Sequence, residues 1–141
     1  MEMPIMVILC LYLCLPVPPA NGDDMPSAYQ VLQSYNLPIG LLPKGALGYN
    51  LDPNSGRFAV NLSSNCDVHV GDYKIKYDPI ITGVISKNNL RRLGGVKVKI
   101  ALFWIDIENV NRNQDHLAFK MGNVANKEFP TSDFKSCPKC Y

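Results

Sequence analysis

Apolar and polar residues alternate along most of this chain with a period of two, the repeat of a strand whose side chains point to opposite faces in turn. The stretch 73–108 shows it best. Tyr73, Ile75 and Tyr77 fall on one face with Lys74 and Lys76 on the other, and Val96, Val98, Ile100, Leu102 and Trp104 alternate with Lys97, Lys99, Ala101, Phe103 and Ile105. The pattern reads as two long β-runs joined through a basic turn at Arg91-Arg92, which Leu90 and Leu93 would pin to the end of the sheet. The second run is expected to be one strand over 96–110. From Ile100 onward its outer face turns from lysine to apolar, so the segment 101–105 is expected to be covered on both sides.

The same period marks the flanking segments. Leu47, Tyr49 and Leu51 pair in pattern with Phe58, Val60 and Leu62 across the turn Asp52-Pro53-Asn54-Ser55-Gly56, a β-hairpin. Cys66, Val68 and Val70 form a third strand that turns at Gly71-Asp72, where glycine suits the first central position of a II′ hairpin. Pro79 belongs at a bulge or an edge because it lacks an amide donor. Asn residues in Ser86-Lys87-Asn88-Asn89 can supply a left-handed turn. Leu117, Phe119 and Met121 then form an inward set, and a last short strand is expected over 127–129.

One segment breaks the period. Ser27-Ala28-Tyr29-Gln30 is a Ser-x-x-Gln capping box, and Ala28, Val31, Leu32 and Tyr35 follow at helical spacing, an apolar face of roughly two turns. Pro38 ends the helix near Asn36. A helix this short needs the sheet to hold it, and the doubly apolar segment 101–105 is the surface it is expected to cover. The proline- and glycine-rich loop 37–45 is either an apolar lip that touches a ligand or a plug closing one end of the core. The cost of exposing such a loop favours the plug. Together these elements predict a mainly β fold: an antiparallel β-barrel or roll of about seven to ten strands with one short N-terminal helix.

Composition adds limits rather than chemistry. With 141 residues and a net charge of +2, the chain is the size of one domain and too weakly charged for a dedicated nucleic-acid binder. Residues 5–15 (IMVILCLYLCL) are an apolar run the length of a signal-peptide core and too short to span a bilayer as a stable transmembrane segment. Small residues in Ala20-Asn21-Gly22 fit a cleavage site. This predicts a signal peptide at 1–22, a mature domain at 23–141, and a secreted, extracellular protein. Asn61-Leu62-Ser63 is then a glycosylation sequon, with Asn61 on the polar face of its strand.

Cys10 and Cys14 leave with the signal peptide, so Cys66, Cys137 and Cys140 remain, enough for one disulfide and one thiol. Pairing Cys66 with Cys140 would tie the tail to the third strand and close a long loop. Cys137-x-x-Cys140 lies at the C-terminus rather than at the strand-to-helix junction that redox chemistry needs, and zinc would want four ligands. His69 and His116 each alternate outward on their strands, with no G-x-S-x-G or HExxH context to make either catalytic. Asp106 and Glu108, two apart, have the spacing of a calcium or acid-base pair, although a solvated strand end accounts for them more simply. No cofactor motif is present. The outward lysines Lys74, Lys76, Lys97 and Lys99, with Arg91 and Arg92, are expected to gather toward one region that could receive an anionic partner, or simply to guard the sheet against aggregation.

The chain also resembles a plant family catalogued as domain of unknown function 538. The residues that carry the likeness are Tyr35, the Pro38-x-Gly40-Leu41-Leu42-Pro43-x-Gly45 loop, Tyr49, Phe58, Tyr77, Ile81-Thr82-Gly83, Leu93-x-Gly95-Val96-Lys97-Val98-Lys99, Trp104, Phe119, Phe129-Pro130, Phe134 and Cys140. The chain departs from the pattern at Asn89, where glycine is usual, and in having Cys137 beside the terminal cysteine. The resemblance implies a plant origin and a compact, mostly antiparallel barrel or roll; it brings no catalytic residues. A distant similarity to animal lipid-binding, bactericidal permeability-increasing proteins has been proposed for the family.

These readings converge on a secreted, non-enzymatic barrel that binds a lipid or another amphipathic small molecule. Leu41, Leu42 and Trp104 would meet its apolar part, and Lys74, Lys76, Arg91, Arg92, Lys97 and Lys99 its headgroup. The alternative is a cell-wall module recognising acidic polysaccharide or protein through the basic surface; a hydrolase ranks third. The two leading readings differ over the interior. Tyr49, Phe58, Tyr73, Tyr77, Leu102, Trp104 and Phe119 either fill it or line a cavity of roughly a few hundred Å³.

Overall fold

The computed structural model describes residues 25–123 and 125–141, so the expected signal peptide lies outside the described residues. Helix α1 (Ala28–Ser34) comes first, followed by a 3-10 turn (Ile39–Leu41). Eight strands come next: β1 (Gly48–Leu51), β2 (Arg57–Asn61), β3 (Cys66–Val70), β4 (Tyr73–Ser86), β5 (Asn89–Ile100), β6 (Phe103–Asn113), β7 (His116–Met121) and β8 (Ala125–Pro130). A second 3-10 turn (Thr131–Phe134) leads into the tail.

The strands make a single antiparallel sheet in the order β8-β7-β6-β5-β4-β2-β1, with β3 pairing beside β2 on the same edge of β4. The sheet is a roll rather than a hydrogen-bonded closed barrel. Its curl comes from bulges in the two longest strands. Between the pairs Tyr77↔Val96 and Thr82↔Gly94, β4 spends five positions against two of β5, and Pro79 sits in the excess. Between Leu90↔Val110 and Lys97↔Asp106, β5 spends seven against four of β6. Gly95 lies in that second bulge at φ 89°, where a Cβ would come within 2.5 Å of the Ile80 carbonyl oxygen. Only glycine fits both demands. The curl brings edge strand β8 round to β4, where Phe129 meets Tyr73 edge to face with ring centres 5.4 Å apart.

α1 starts as its capping box predicts: Ser27 accepts from the Gln30 amide while the Gln30 side chain accepts from the Ser27 amide. Ala28 and Leu32 enter the core, whose most enclosed members include Val68, Val110, Leu117 and Met121. The loop after α1 is a plug. Leu37, Gly40, Leu42 and Pro43 are buried, and the backbone of Gly40 lies so close to that of Phe134 that any side chain there would strike the Phe134 carbonyl. Two tyrosines hold the loop, with Tyr77 Oη donating to the Leu41 carbonyl (2.9 Å) and Tyr29 Oη to the Pro43 carbonyl (2.6 Å). The tail is fixed by a Cys66–Cys140 disulfide.

Three expectations about the central stretch fail. The run 96–110 is not one strand: it reverses at Ala101-Leu102, where Ile100 pairs with Phe103 and Ala101 adopts φ 56°. Nor is the segment 101–105 covered, since Leu102 is 84% and Phe103 70% exposed, and α1 packs elsewhere. The Asn36 side chain donates to Asn88 Oδ1 (2.7 Å), which places the end of α1 at the opposite end of β5. Arg91 and Arg92 form no turn either. They lie within β5, Arg91 opposite Val84, and Arg92 takes φ 54° at the bulge.

Candidate functional site: an apolar hairpin tip beside a lysine cleft

The β5–β6 hairpin carries Lys97 and Lys99 on its outer face and Val96 and Val98 inward, as alternation requires. Lys99 pairs across the hairpin with Trp104 and Lys97 with Asp106, while Lys76 of β4 sits opposite Lys97. Facing lysines repel one another, and two neighbours relieve them. Asp106 lies 3.6 Å from Lys97 in an exposed ion pair, and the Trp104 ring takes the Lys76 ammonium at 4.4 Å and that of Lys99 at 6.0 Å from its centre. Beyond this basic and aromatic collar the chain projects Ala101, Leu102 and Phe103 with no core to receive them. Exposed leucines scattered singly are ordinary; here Leu102 and Phe103 are contiguous at the apex of a hairpin and form an exposed apolar tip.

Next to the apex is an open cleft of about 520 Å³, lined by Asp72, Tyr73, Lys74, Lys99, Ile100, Ala101 and Lys127. The lysines reach it from β4, β5 and β8, and Lys127 stands 5.8 Å from the centre of the Tyr73 ring. The position of Lys127 depends on the roll having brought β8 to β4.

The interior offers much less space. Its void, lined among others by Val31, Leu32, Tyr49, Phe58, Tyr77 and Phe119, is about 60 Å³ and almost wholly apolar. That is room for about two water molecules, against roughly 300–1,000 Å³ for ligand sites. Tyr49, Phe58, Tyr73, Tyr77 and Phe119 thus serve to fill the roll, whereas Leu102 and Trp104 lie outside it.

Of the candidate residues, Lys74, Lys76, Lys97, Lys99 and Trp104 come together around the tip. Arg91 and Arg92 do not. They lie near the far end of β5, Arg91 eight residues from Lys99 and roughly 25 Å along extended chain. Leu42 is buried and Leu41 half-buried in the plug, where both line the small interior void rather than the tip. Leu102, Phe103, Tyr73 and Lys127 are the residues that sequence reasoning missed. An apolar pair flanked by lysine-alternating strands was the available signal for the first two; nothing local signalled Lys127.

The remaining chemistry is sparse. His69 and His116 are exposed, and His69 stacks on Tyr141 with ring centres 4.5 Å apart. Among the described residues no three His, Cys, Asp or Glu side chains are grouped to hold a metal, so Asp106 and Glu108 have no further partner of that kind. Cys137 is a free thiol whose Sγ donates to the Ile39 carbonyl (3.4 Å); burial pushes its pKa up, opposed by the charge of Lys44. Asn61 is exposed at the end of β2. Among the described residues no helix is long and apolar enough to cross a membrane.

The family model described as "Protein of unknown function, DUF538" matches residues 28–135, which takes in α1, all eight strands and the plug. A curated relative, an uncharacterized protein of Arabidopsis thaliana, is 28% identical over 94 residues. That alignment covers 66% of this chain and 55% of the relative, so the chain spans about half the length of the curated protein it matches.

Proposed function

We propose that this chain, which belongs to the DUF538 family, is a non-enzymatic domain that binds the surface of anionic lipid assemblies through its β5–β6 hairpin tip. The observation that carries the reading is the pair Leu102 and Phe103, 84% and 70% exposed at an apex ringed by Trp104, Lys76 and Lys99. Apolar side chains enter the acyl boundary, an indole sits at the headgroup level, and lysines meet lipid phosphates; this is the division of labour that an interfacial anchor needs. The interior void of about 60 Å³ favours a lipid held at the surface over one swallowed by the roll. Export through residues 1–22 is part of the proposal, and the Cys66–Cys140 disulfide, which requires an oxidising compartment, is compatible with it.

Co-sedimentation of the purified protein with phosphatidylcholine vesicles, with and without admixed phosphatidylglycerol, tests the reading. Binding is expected to the mixed vesicles and to weaken as salt is raised. Absence of binding to either would overturn it. The basic collar also favours a second reading, an acidic cell-wall polysaccharide as the partner. Saturable binding to pectin that survives loss of Leu102 and Phe103 would support that alternative.

A further inference from the structure

The cleft beside the tip has the composition of a headgroup site, and we infer that it receives a phosphomonoester, the dianionic headgroup of a phosphatidic-acid-type lipid, on Lys74, Lys99 and Lys127. This deepens the proposed surface binding and rests on it. Three lysines and one aspartate, Asp72, leave the cleft with a charge of +2. A phosphomonoester carries close to two negative charges and a phosphodiester one, so the monoester is the better match. Lysine ammoniums on flexible stems suit it, because each can turn its three donors toward a compact cluster of phosphate oxygens. Asp106 does not dilute this charge, being engaged with Lys97 on the outer face of the hairpin.

The geometry links headgroup and tail. Ile100 and Ala101 line the cleft and lead directly into Leu102 and Phe103, so a lipid phosphate seated among the lysines has the inserted apex as its immediate neighbour. At about 520 Å³ the cleft has room for a phosphate and its glycerol. Tyr73 and Lys127 make the site more than a lysine stripe. They approach only because β8 folds round onto β4, so the third cation comes from a strand four positions away in the sheet.

The test compares phosphatidylcholine vesicles containing phosphatidic acid with vesicles containing phosphatidylglycerol, matched for surface potential. The protein is expected to bind the first about tenfold tighter, and a Lys127→Gln variant to lose most of that preference while keeping its binding to phosphatidylglycerol within about fivefold. Thermal melts of the variant should match the wild type, since Lys127 is exposed. Equal binding to the two vesicles, or a preference that survives the substitution, overturns the headgroup site and leaves surface binding standing. Failure to bind any vesicle overturns the surface reading. In that event NMR titration with glycerol 3-phosphate still examines the cleft: shifts confined to residues 72–74, 99–101 and 127 support a phosphomonoester site for a soluble ligand, and no shifts remove it.

Discussion

Replacing both apex residues, Leu102→Ser with Phe103→Ser, separates the tip from the fold and from the charge. Complete burial of a leucine or phenylalanine side chain contributes about 1.5–3 kcal/mol. The two residues are 84% and 70% exposed, so most of that surface is still available to be removed from water on insertion. Allowing for shallow penetration, the pair contributes about 3 kcal/mol to membrane association, roughly a hundredfold in partition coefficient. Folding stability should change by no more than about 0.5 kcal/mol, because neither side chain belongs to the core. Trp104 is the single tryptophan of the chain and borders the apex, so its fluorescence reports the event directly. Wild-type protein should show a blue-shifted Trp104 emission on adding anionic vesicles, and the double variant neither the shift nor the binding at the same lipid concentration. Retention of binding within about threefold by a variant that melts like the wild type would refute the reasoning, as would a wild-type emission that does not move.

The core allows three further predictions. Burial holds the Tyr77 phenol neutral well above its usual range, so the folded state keeps a proton that the unfolded chain releases above about pH 10. Its contribution is therefore intact below pH 10 and falls as pH rises beyond it, by up to about 1.4 kcal/mol per pH unit; Tyr77→Phe should flatten the alkaline limb of a urea-denaturation series. At neutral pH the same variant should lose about 1–2 kcal/mol, because the Leu41 carbonyl gives up its donor. Gly40→Ala drives a methyl into the Phe134 carbonyl and should lower the urea midpoint by the equivalent of 2 kcal/mol or more, about the cost of overpacking. Cys66→Ser/Cys140→Ser opens a link across a sequence separation of 74 and should cost about 2–4 kcal/mol, read as a lowered Tm while vesicle binding persists below that Tm.

Local signals were legible where the chemistry of one or two residues decides the backbone. Ser27 and Gln30 mark the start of α1, Gly71 takes φ 58° at its turn, and Asn88 supplies the left-handed residue of the next. Pro79 falls in a bulge, as an amide-less residue in a long strand must. The reversal at Ala101-Leu102 was hidden because it uses none of these residues. An alanine at φ 56° costs about 1–2 kcal/mol, and the ladder from Lys97 to Asp106 compensates for it. Alternation runs through the turn without a break, so a rule equating apolar with buried sends Leu102 and Phe103 to the wrong side. That rule fails at a hairpin apex that projects beyond the core, as this one does. Separating Arg91 and Arg92 from the lysines needed the register, and placing Lys127 needed the curl produced by bulges in β4 and β5.

The proposed surface binding makes no demand on the interior. A barrel that swallows a ligand needs an empty interior and a movable lid. Here the aromatics fill the interior, and the plug is held by the Tyr29 and Tyr77 hydroxyls and by the contact of Gly40 with Phe134. The end of α1 is tied to the 87–88 turn by Asn36 and Asn88 and to β6 by Arg112, whose Nη1 donates to the Asn36 carbonyl (3.2 Å). The Asn36 ties lie at the other end of β5 from the 101–102 apex, and Leu102 and Phe103 already stand outside the core. Insertion of Leu102 and Phe103 therefore requires no opening of the core, and the rigid roll serves to hold an apolar apex and three lysines from separate strands in one fixed relation. In the proposed surface binding, association would then cost little conformational entropy beyond the lysine side chains, so that a tip of two apolar residues, weak by the standard of an amphipathic helix, would suffice where the membrane also supplies negative charge.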